Sequence, residues 1–264
     1  MTVAVITGAA SGIGAGLARE AARRGITLVL ADRDAARLEA VAGSIDPTAI
    51  AMPTDVTSEA DMAALAERTY ATVGPVDLLF NNAGILQTGL TWEIAADDWR
   101  RSLNVNIMGI INGVRAFVPR MLAAGTPARI VNTASIGGFL PSPFMAPYSA
   151  TKFAVVALTE SLAAELKTVG SKIEVSLLAP GPVKSGIFRK PPSAASAPFH
   201  AMMTDMLDQN GLDPDTFAAL TFDAIGRGEY WIIPQPEMFD DAFRARNSAI
   251  ADRTPPIFYG IENA

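Results

Sequence analysis

The chain has 264 residues, a formal net charge of −6, half of its residues apolar, one histidine and no cysteine. This composition excludes a disordered chain, disulfide scaffolds and thiol catalysis, and leaves no donor set for structural zinc. With no basic cluster it argues against nucleic acid or a membrane surface as partner, so a soluble cytoplasmic protein with one large core is expected.

The N-terminus enters a β-rich apolar run without a basic leader, as expected of a chain with no targeting segment. Residues 3–14 pass from that run into a turn containing Gly8, Ser11, Gly12, Ile13 and Gly14, and residues 15–24 are rich in helix formers. Strand, glycine turn and helix together place a helix N-terminus where it can hold a phosphate. Glycine serves such a turn by adopting positive φ or by letting backbone and pyrophosphate approach without a Cβ. A second apolar run, 26–31, ends in Asp32 and Arg33, and 34–43 reads as a helix. An acid in that position can accept from both ribose hydroxyls of NAD and repel the 2′-phosphate of NADP. Helix capping is its alternative role, and Arg33 could attract a phosphate or stack on adenine.

Residues 49–52 read as a short strand followed by Asp55 and Val56, candidates for the adenine amino group and ring. Thr57 or Ser58 can cap the next helix, with Asp61 as box partner of Ser58. A fourth strand, 76–80, runs into Asn81, Asn82, Ala83 and Gly84, where paired amides can bond backbone and the small pair can admit a ribose. The helical segment 97–121 is interrupted by Asn104, Asn106, Gly109, Asn112 and Gly113, each needing a structural or functional reason. A fifth strand, 128–133, leads to Ser135 and a charge-free loop. A helix containing Tyr148 and Lys152 runs on to about 169, and a sixth strand, 172–178, ends in Pro180, Gly181 and Val183. The charge-free run 130–151 holds three prolines and cannot be a membrane span. From 184 to 210 the prolines and apolar side chains suggest a lid with one or two short helices. Helix 213–227, strand 229–233 and a polar helix near 237–250 complete the pattern, the tail 254–264 having no periodicity.

Strands alternate with helices, which predicts an α/β single-domain Rossmann fold with a doubly wound parallel sheet, helices on both faces and a C-terminal extension from about 234 to 264. Ligands of such a sheet bind beyond the carboxyl ends of its strands, where Gly8, Asp32, Asp55, Asn81, Ser135 and Pro180 all fall. Tyr148 and Lys152, four residues apart, share a helix face near its start. A phenol is a poor base at neutral pH unless a nearby ammonium and a helix N-terminus favour the phenolate. Ser135 is then the candidate to bond a substrate oxygen.

These stretches resemble the short-chain dehydrogenase/reductase family. Thr7-Gly8-Ala9-Ala10-Ser11-Gly12-Ile13-Gly14 matches its cofactor motif and Asn81-Asn82-Ala83-Gly84 its strand-end motif. Asn106, Ser135, Tyr148 and Lys152 match its catalytic tetrad, and Pro180, Gly181 and Val183 match the segment beside the nicotinamide, with Ser185 where threonine is more usual. The resemblance, over residues 2–186, implies that Tyr148 moves the hydroxyl proton. Lys152 would lower the Tyr148 pKa and bind the nicotinamide ribose, Ser135 would hold the reacting oxygen, and Asn106 would hold a water linking Lys152 to solvent. Hydride would pass directly between substrate carbon and nicotinamide. Relatives often end in a glycine-rich segment that builds a tetramer. Here Pro234-Gln235-Pro236 and a further helix put a tetramer in doubt and leave a homodimer as the expectation.

The leading expectation is an NAD-dependent alcohol dehydrogenase or ketone reductase. An NADPH-dependent ketone or 3-oxoacyl reductase and a non-catalytic dinucleotide-binding regulator are the alternatives. Phe139, Leu140, Pro141, Pro143 and Phe144, with Ile187, Phe188, Phe199 and the lid methionines, predict a bulky apolar secondary alcohol or ketone as substrate. Arg189, Lys190 and His200 stand out as charged or polar exceptions, His200 being read as a loop residue.

Overall fold

A computed structural model describes residues 2–45 and 49–256. The expected features of residues 46–48 and of the tail beyond 256 lie outside the described residues. Seven parallel strands form one sheet in the order β3-β2-β1-β4-β5-β6-β7. They are β1 (Val3–Thr7), β2 (Thr27–Asp32), β3 (Ile50–Pro53), β4 (Leu78–Asn81), β5 (Ala128–Thr133), β6 (Ile173–Leu178) and β7 (Trp231–Ile232). All five residues of β1 are buried, as the continuous apolar run requires for a strand covered on both faces.

Side chains leave β1 alternately for two cores. Ala4 and Ile6 join Leu17 of α1 (Gly12–Arg23), Leu38 of α2 (Ala35–Ile45) and Phe217 and Phe222 of α8 (Pro214–Gly226). Val3 and Val5 join Met62 and Leu65 of α3 (Glu59–Thr72), Phe117 and Met121 of α5 (Gly109–Ala124), and Leu162 and Leu166 of α6 (Ala146–Thr168). The remaining helices are α4 (Ala96–Leu103), α7 (Ala197–Asn210) and α9 (Asp240–Asp252). The order reverses between β1 and β4, which opens the crevice where a doubly wound sheet takes a ligand.

Several local expectations have physical counterparts. Ser58 caps α3 by accepting from the Asp61 backbone N–H at 3.1 Å, while its hydroxyl donates to the Asp61 carboxylate. The long helix is continuous from α4 to α5 but widens into a π-turn at Asn104–Met108. The run Ala96–Ala124 is long and apolar enough by composition to cross a membrane, yet it packs Ile110, Phe117 and Met121 into the core. The segment 184–210 holds one short 3₁₀ turn and the fourteen-residue α7. His200 therefore lies on a helix, not in a loop, with its ring edge-on to Phe188 and its Nδ1 3.4 Å from the Thr88 hydroxyl.

Candidate active site

The turn after β1 is built around absent side chains. Gly8 has φ +69°, and a Cβ there would sit 2.8 Å from the Ala83 Cα. A Cβ on Gly14 would stand 2.1 Å from the Gly8 carbonyl oxygen. Only glycine allows β1, the start of α1 and the end of β4 to meet at these separations. Asn82 secures the meeting: its Nδ2 donates to the Thr7 carbonyl at 3.0 Å, and its backbone N–H donates to the Thr7 hydroxyl at 2.9 Å. Ser11 precedes α1 without a side-chain cap bond, so the first turn presents its N–H groups at the crevice.

Asp32 closes the far side of this turn. Its Oδ2 accepts from the Ala10 N–H at 3.1 Å and its Oδ1 from the Asp34 N–H at 3.0 Å, which fixes the carboxylate at the rim. Arg33 beside it is exposed and has no ion-pair partner among the described residues. Asp55 turns one oxygen onto the N–H and hydroxyl of Thr57, and the Val56 carbonyl accepts from Asn112 Nδ2 at 2.9 Å.

At the other end of the crevice stand Ser135, Tyr148 and Lys152, all buried. Ser135 follows β5 in an extended conformation; its Oγ accepts from the Gly137 N–H at 3.0 Å and lies 3.4 Å from the Pro180 carbonyl that it donates to. Tyr148 is on the first turn of α6; burial pushes its phenol up, and the neighbouring Ser135 hydroxyl opposes that push more weakly. Lys152 donates to the Thr133 carbonyl at 2.8 Å, and burial draws its pKa down to about 8. Its Nζ is 5.6 Å from the Tyr148 ring centroid. A phenol drawn down by Lys152 was the expectation; in this structure burial outweighs the pull toward the phenolate and holds the phenol above its ordinary value.

One cavity of about 890 Å³ joins these parts. Gly8, Ser11, Gly12, Ile13, Gly14, Asp32, Arg33, Asp55, Val56, Asn82, Ala83, Gly84, Pro180, Gly181, Val183 and Ser185 all line it, as do Ser135, Tyr148 and Lys152. Asn106 does not line it. Its Oδ1 accepts from the Ile85 N–H at 2.9 Å, and its Nδ2 donates to the Ile85 carbonyl at 3.0 Å and to Thr151 Oγ1 at 2.9 Å. Those three bonds tie the π-turn to the strand-end loop and to α6, and they leave one lone pair of Oδ1 unused, on the side where a Cβ on Gly84 would lie 3.6 Å from Oδ1 and 3.5 Å from Lys152 Nζ.

The apolar end differs from expectation in detail. Leu140 and Pro141 line the cavity, but Phe139 turns away to pack on Trp231 and Phe243. Phe144, at φ +60°, packs on Phe199, and both rings back the wall without reaching it. Ile187, Phe188, Met203, Met206 and Leu207 do reach it, whereas Met202 is exposed. Lys190 pairs with Asp98 of α4. Asp97, Arg100 and Arg101 of α4 also line the cavity, as do Met238, Phe239 and Ala242. These residues carry no local motif, and their place depends on how α4 and the C-terminal segment fold over the sheet.

Residues 2–195 match the family model described as short chain dehydrogenase. The chain belongs to the short-chain dehydrogenase/reductase family. Among solved members, a short-chain dehydrogenase/reductase from Burkholderia phymatum in complex with NAD is 36% identical and superposes with a TM-score of 0.93, covering 97% of this chain and 96% of that one. A short-chain dehydrogenase from Sphingobium yanoikuyae in complex with NADPH is 30% identical, with a TM-score of 0.77, 100% of this chain covered and 99% of that one. A CLA biosynthesis dehydrogenase/reductase of Lactiplantibacillus plantarum is 32% identical over 252 residues, 89% of this chain and 88% of that protein. This chain is thus an oxidoreductase of that family, built for a nicotinamide dinucleotide and a small-molecule substrate.

Proposed function

We propose that the protein is an NAD-dependent alcohol dehydrogenase or ketone reductase acting on a secondary alcohol/ketone pair with a bulky apolar body. The observation that carries this is one cavity running from Asp32 and the α1 N-terminus to the Ser135–Tyr148 pair. The close turn of Gly8, Gly12 and Gly14 fits a pyrophosphate, which a Cβ would exclude. Ser11 and Ile13 would hold that group beside them, with Ser185 opposite Gly12. Asp32 would take the adenosine ribose hydroxyls, Asp55 and Val56 the adenine, and Asn82, Ala83 and Gly84 the path between. Pro180, Gly181 and Val183 would flank the nicotinamide, and Lys152 its ribose. The nicotinamide, when bound, supplies the hydride acceptor or donor.

Ser135 would orient the substrate oxygen, and Tyr148 would give it a proton in reduction or take one in oxidation. With its pKa raised by burial, the phenol is held in the acid form at neutral pH, which suits ketone reduction. Lys152, charged below about pH 8, favours the phenolate that oxidation needs. Asn106 acts as a positioning residue through Ile85 and Thr151.

NAD is preferred over NADP in this reading because the Asp32 carboxylate would repel a 2′-phosphate. Arg33 is the feature that favours the second reading, an NADPH-dependent ketone or 3-oxoacyl reductase. The segment 184–210 serves as a lid, the whole chain as one catalytic domain, and the protein as a soluble cytoplasmic homodimer. Exposed Leu103, Met108 and Leu122 on the α4–α5 run support a paired face. The test is cofactor oxidation and reduction, followed by the absorbance of the reduced nicotinamide, over a panel of alcohols and ketones. Tyr148, which would also touch the cofactor, gives the decisive variant: Tyr148→Phe should remove most turnover and leave cofactor binding nearly intact, and near-normal turnover in that variant contradicts the mechanism.

A further inference from the structure

Beyond the span matched by the family model, residues 2–195, the chain returns to the site from its C-terminal side. After β7 the chain turns through Gln235, and Met238, Phe239 and Ala242 then line the cavity. Gln235 is buried at 4% exposure and holds the turn through its Nε2, 3.6 Å from Met238 Sδ. A Cβ added to Gly181 would meet Gln235 Oε1 at 2.6 Å and the Phe239 ring at 2.7 Å. The Phe239 ring therefore rests directly on Gly181, the residue proposed to flank the nicotinamide.

This ring is held from behind. Phe239 stacks on Phe243 with centroids 6.3 Å apart, Phe243 meets Phe139 at 5.4 Å, and Phe139 meets Trp231 at 5.8 Å. One end of the series is anchored on the edge strand and the other end on the cavity, with Phe139 in the middle attached to the turn that follows Ser135. Of α9 itself only Ala249 is buried, so its placement rests on these rings and on Arg246 over Phe153 at 5.0 Å. The series thus registers the C-terminal segment against the Ser135 turn and Gly181.

We infer that Phe239 is a specificity-determining wall that limits the bulk of one substituent on the reacting carbon. A ketone has two substituents, and the hydroxyls of Ser135 and Tyr148 fix its oxygen. One substituent then faces the lid side, with Met203, Met206 and Leu207, and the other is bounded by the aromatic ring on Gly181. Flexible methionines yield to shape, whereas a ring braced by three others does not. The bulky group is therefore taken on the lid side and the small one on the Phe239 side.

This inference rests on the carbonyl chemistry proposed above, and its test separates the two. An aryl methyl ketone and the matching aryl cyclohexyl ketone are compared in wild type, Phe239→Ala, Phe239→Leu and Phe239→Trp. Two readouts are taken: kcat/KM with the preferred cofactor, and calorimetric affinity for the enzyme–cofactor complex. Phe239→Ala should raise the bulky-to-methyl ratio on the order of tenfold or more, Phe239→Leu should raise it less, and Phe239→Trp should lower it. Cofactor affinity should stay unchanged throughout. If Phe239→Ala does not fold, Phe239→Leu and Phe239→Trp decide the sign. A ratio that stays constant while both ketones weaken together makes Phe239 merely structural and overturns the inference, as does a wild type that binds neither ketone. A wild type that binds both and turns over neither refutes the carbonyl chemistry, and the affinity ratio alone then judges the wall.

Discussion

Replacing Gly14 by alanine should separate the turn from everything else the protein does. The new Cβ would lie 2.1 Å from the Gly8 carbonyl oxygen, 2.7 Å from its carbon and 2.8 Å from Asn82 Nδ2. No rotamer relieves a clash with backbone, and Gly8 cannot retreat, because its own α-carbon faces the Ala83 Cα. Relief needs the start of α1 and the turn to part by about 1 Å, the displacement that typically costs on the order of 100-fold in a positioned site. Overpacking of this kind costs about 1–3 kcal/mol, or roughly 2–10 °C in Tm for a chain of this size. Gly43 is the internal control: it lies in α2 with nothing within 4 Å of its added Cβ. Gly43→Ala should gain about 0.5–1 kcal/mol from helix propensity. The assays are urea denaturation and calorimetric titration with NAD. Gly14→Ala that keeps both wild-type stability and wild-type NAD affinity would show that the turn is not packed as described and would refute the reasoning.

Three further outcomes are expected. Asp32→Ala should narrow the NAD over NADP preference in kcat/KM, since it removes both the ribose acceptor and the repulsion while Arg33 stays; an unchanged ratio refutes that role. Oxidation should become faster as pH rises from 6 towards 8 and then level off, because the phenol of Tyr148 is held high and Lys152 loses its charge near about 8. Reduction should be flat or falling over that range, and identical pH profiles in the two directions would contradict the assignment. Asn106→Ala should destabilise by about 2–4 kcal/mol in urea melts, because it leaves the Ile85 N–H and carbonyl without their partner and takes a donor from Thr151 Oγ1, which keeps only its bond to the Tyr148 carbonyl; a loss below about 0.5 kcal/mol would count against it.

What the sequence discloses about this site follows from how each part is made. The cofactor end is written in contiguous stretches, because a strand, a turn and a helix start are local geometry; Gly8, the run Ser11 to Gly14, and Asn82 to Gly84 all reach the cavity. Tyr148 and Lys152 are legible for the same reason, being neighbours on one helix turn. Ionisation was less legible: the burial that holds Tyr148 high and draws Lys152 down, and the Thr133 carbonyl that takes the ammonium, come from strands and helices meeting in space. The substrate end is harder still. Whether a loop phenylalanine faces a ligand or a neighbour depends on what packs behind it, and the partners that turn Phe139 outward, Trp231 and Phe243, lie about a hundred residues further along the chain. Arg100 and Arg101 reach the cavity only because α4 is laid across the strand ends.

The residues that break the apolar pattern of the long helix show how a local cost can point to a distant cause. A Cβ on Gly113 would strike the Asn81 side chain at 2.1 Å, and a Cβ on Gly109 would meet Val56 at 2.9 Å. Asn112 donates to the Val56 carbonyl, and Asn81 donates to Asn132 Oδ1 at 2.9 Å, which passes the chain on to Thr159 at 3.1 Å. Asn106, Gly109, Asn112 and Gly113 thus each receive a group from a strand end or from the loop after it, whereas Asn104 is exposed. Buried amides are costly unless bonded, but once bonded they fix separation and direction, which apolar contacts do not. The helix sacrifices propensity at Asn106, Gly109, Asn112 and Gly113 and in return locates the ends of β4 and β5 and the loop carrying Val56. Those ends form the floor between the adenine side and the Ser135 side of the cavity. The same four residues that look like defects in a helical pattern therefore set the distance between the two halves of the site.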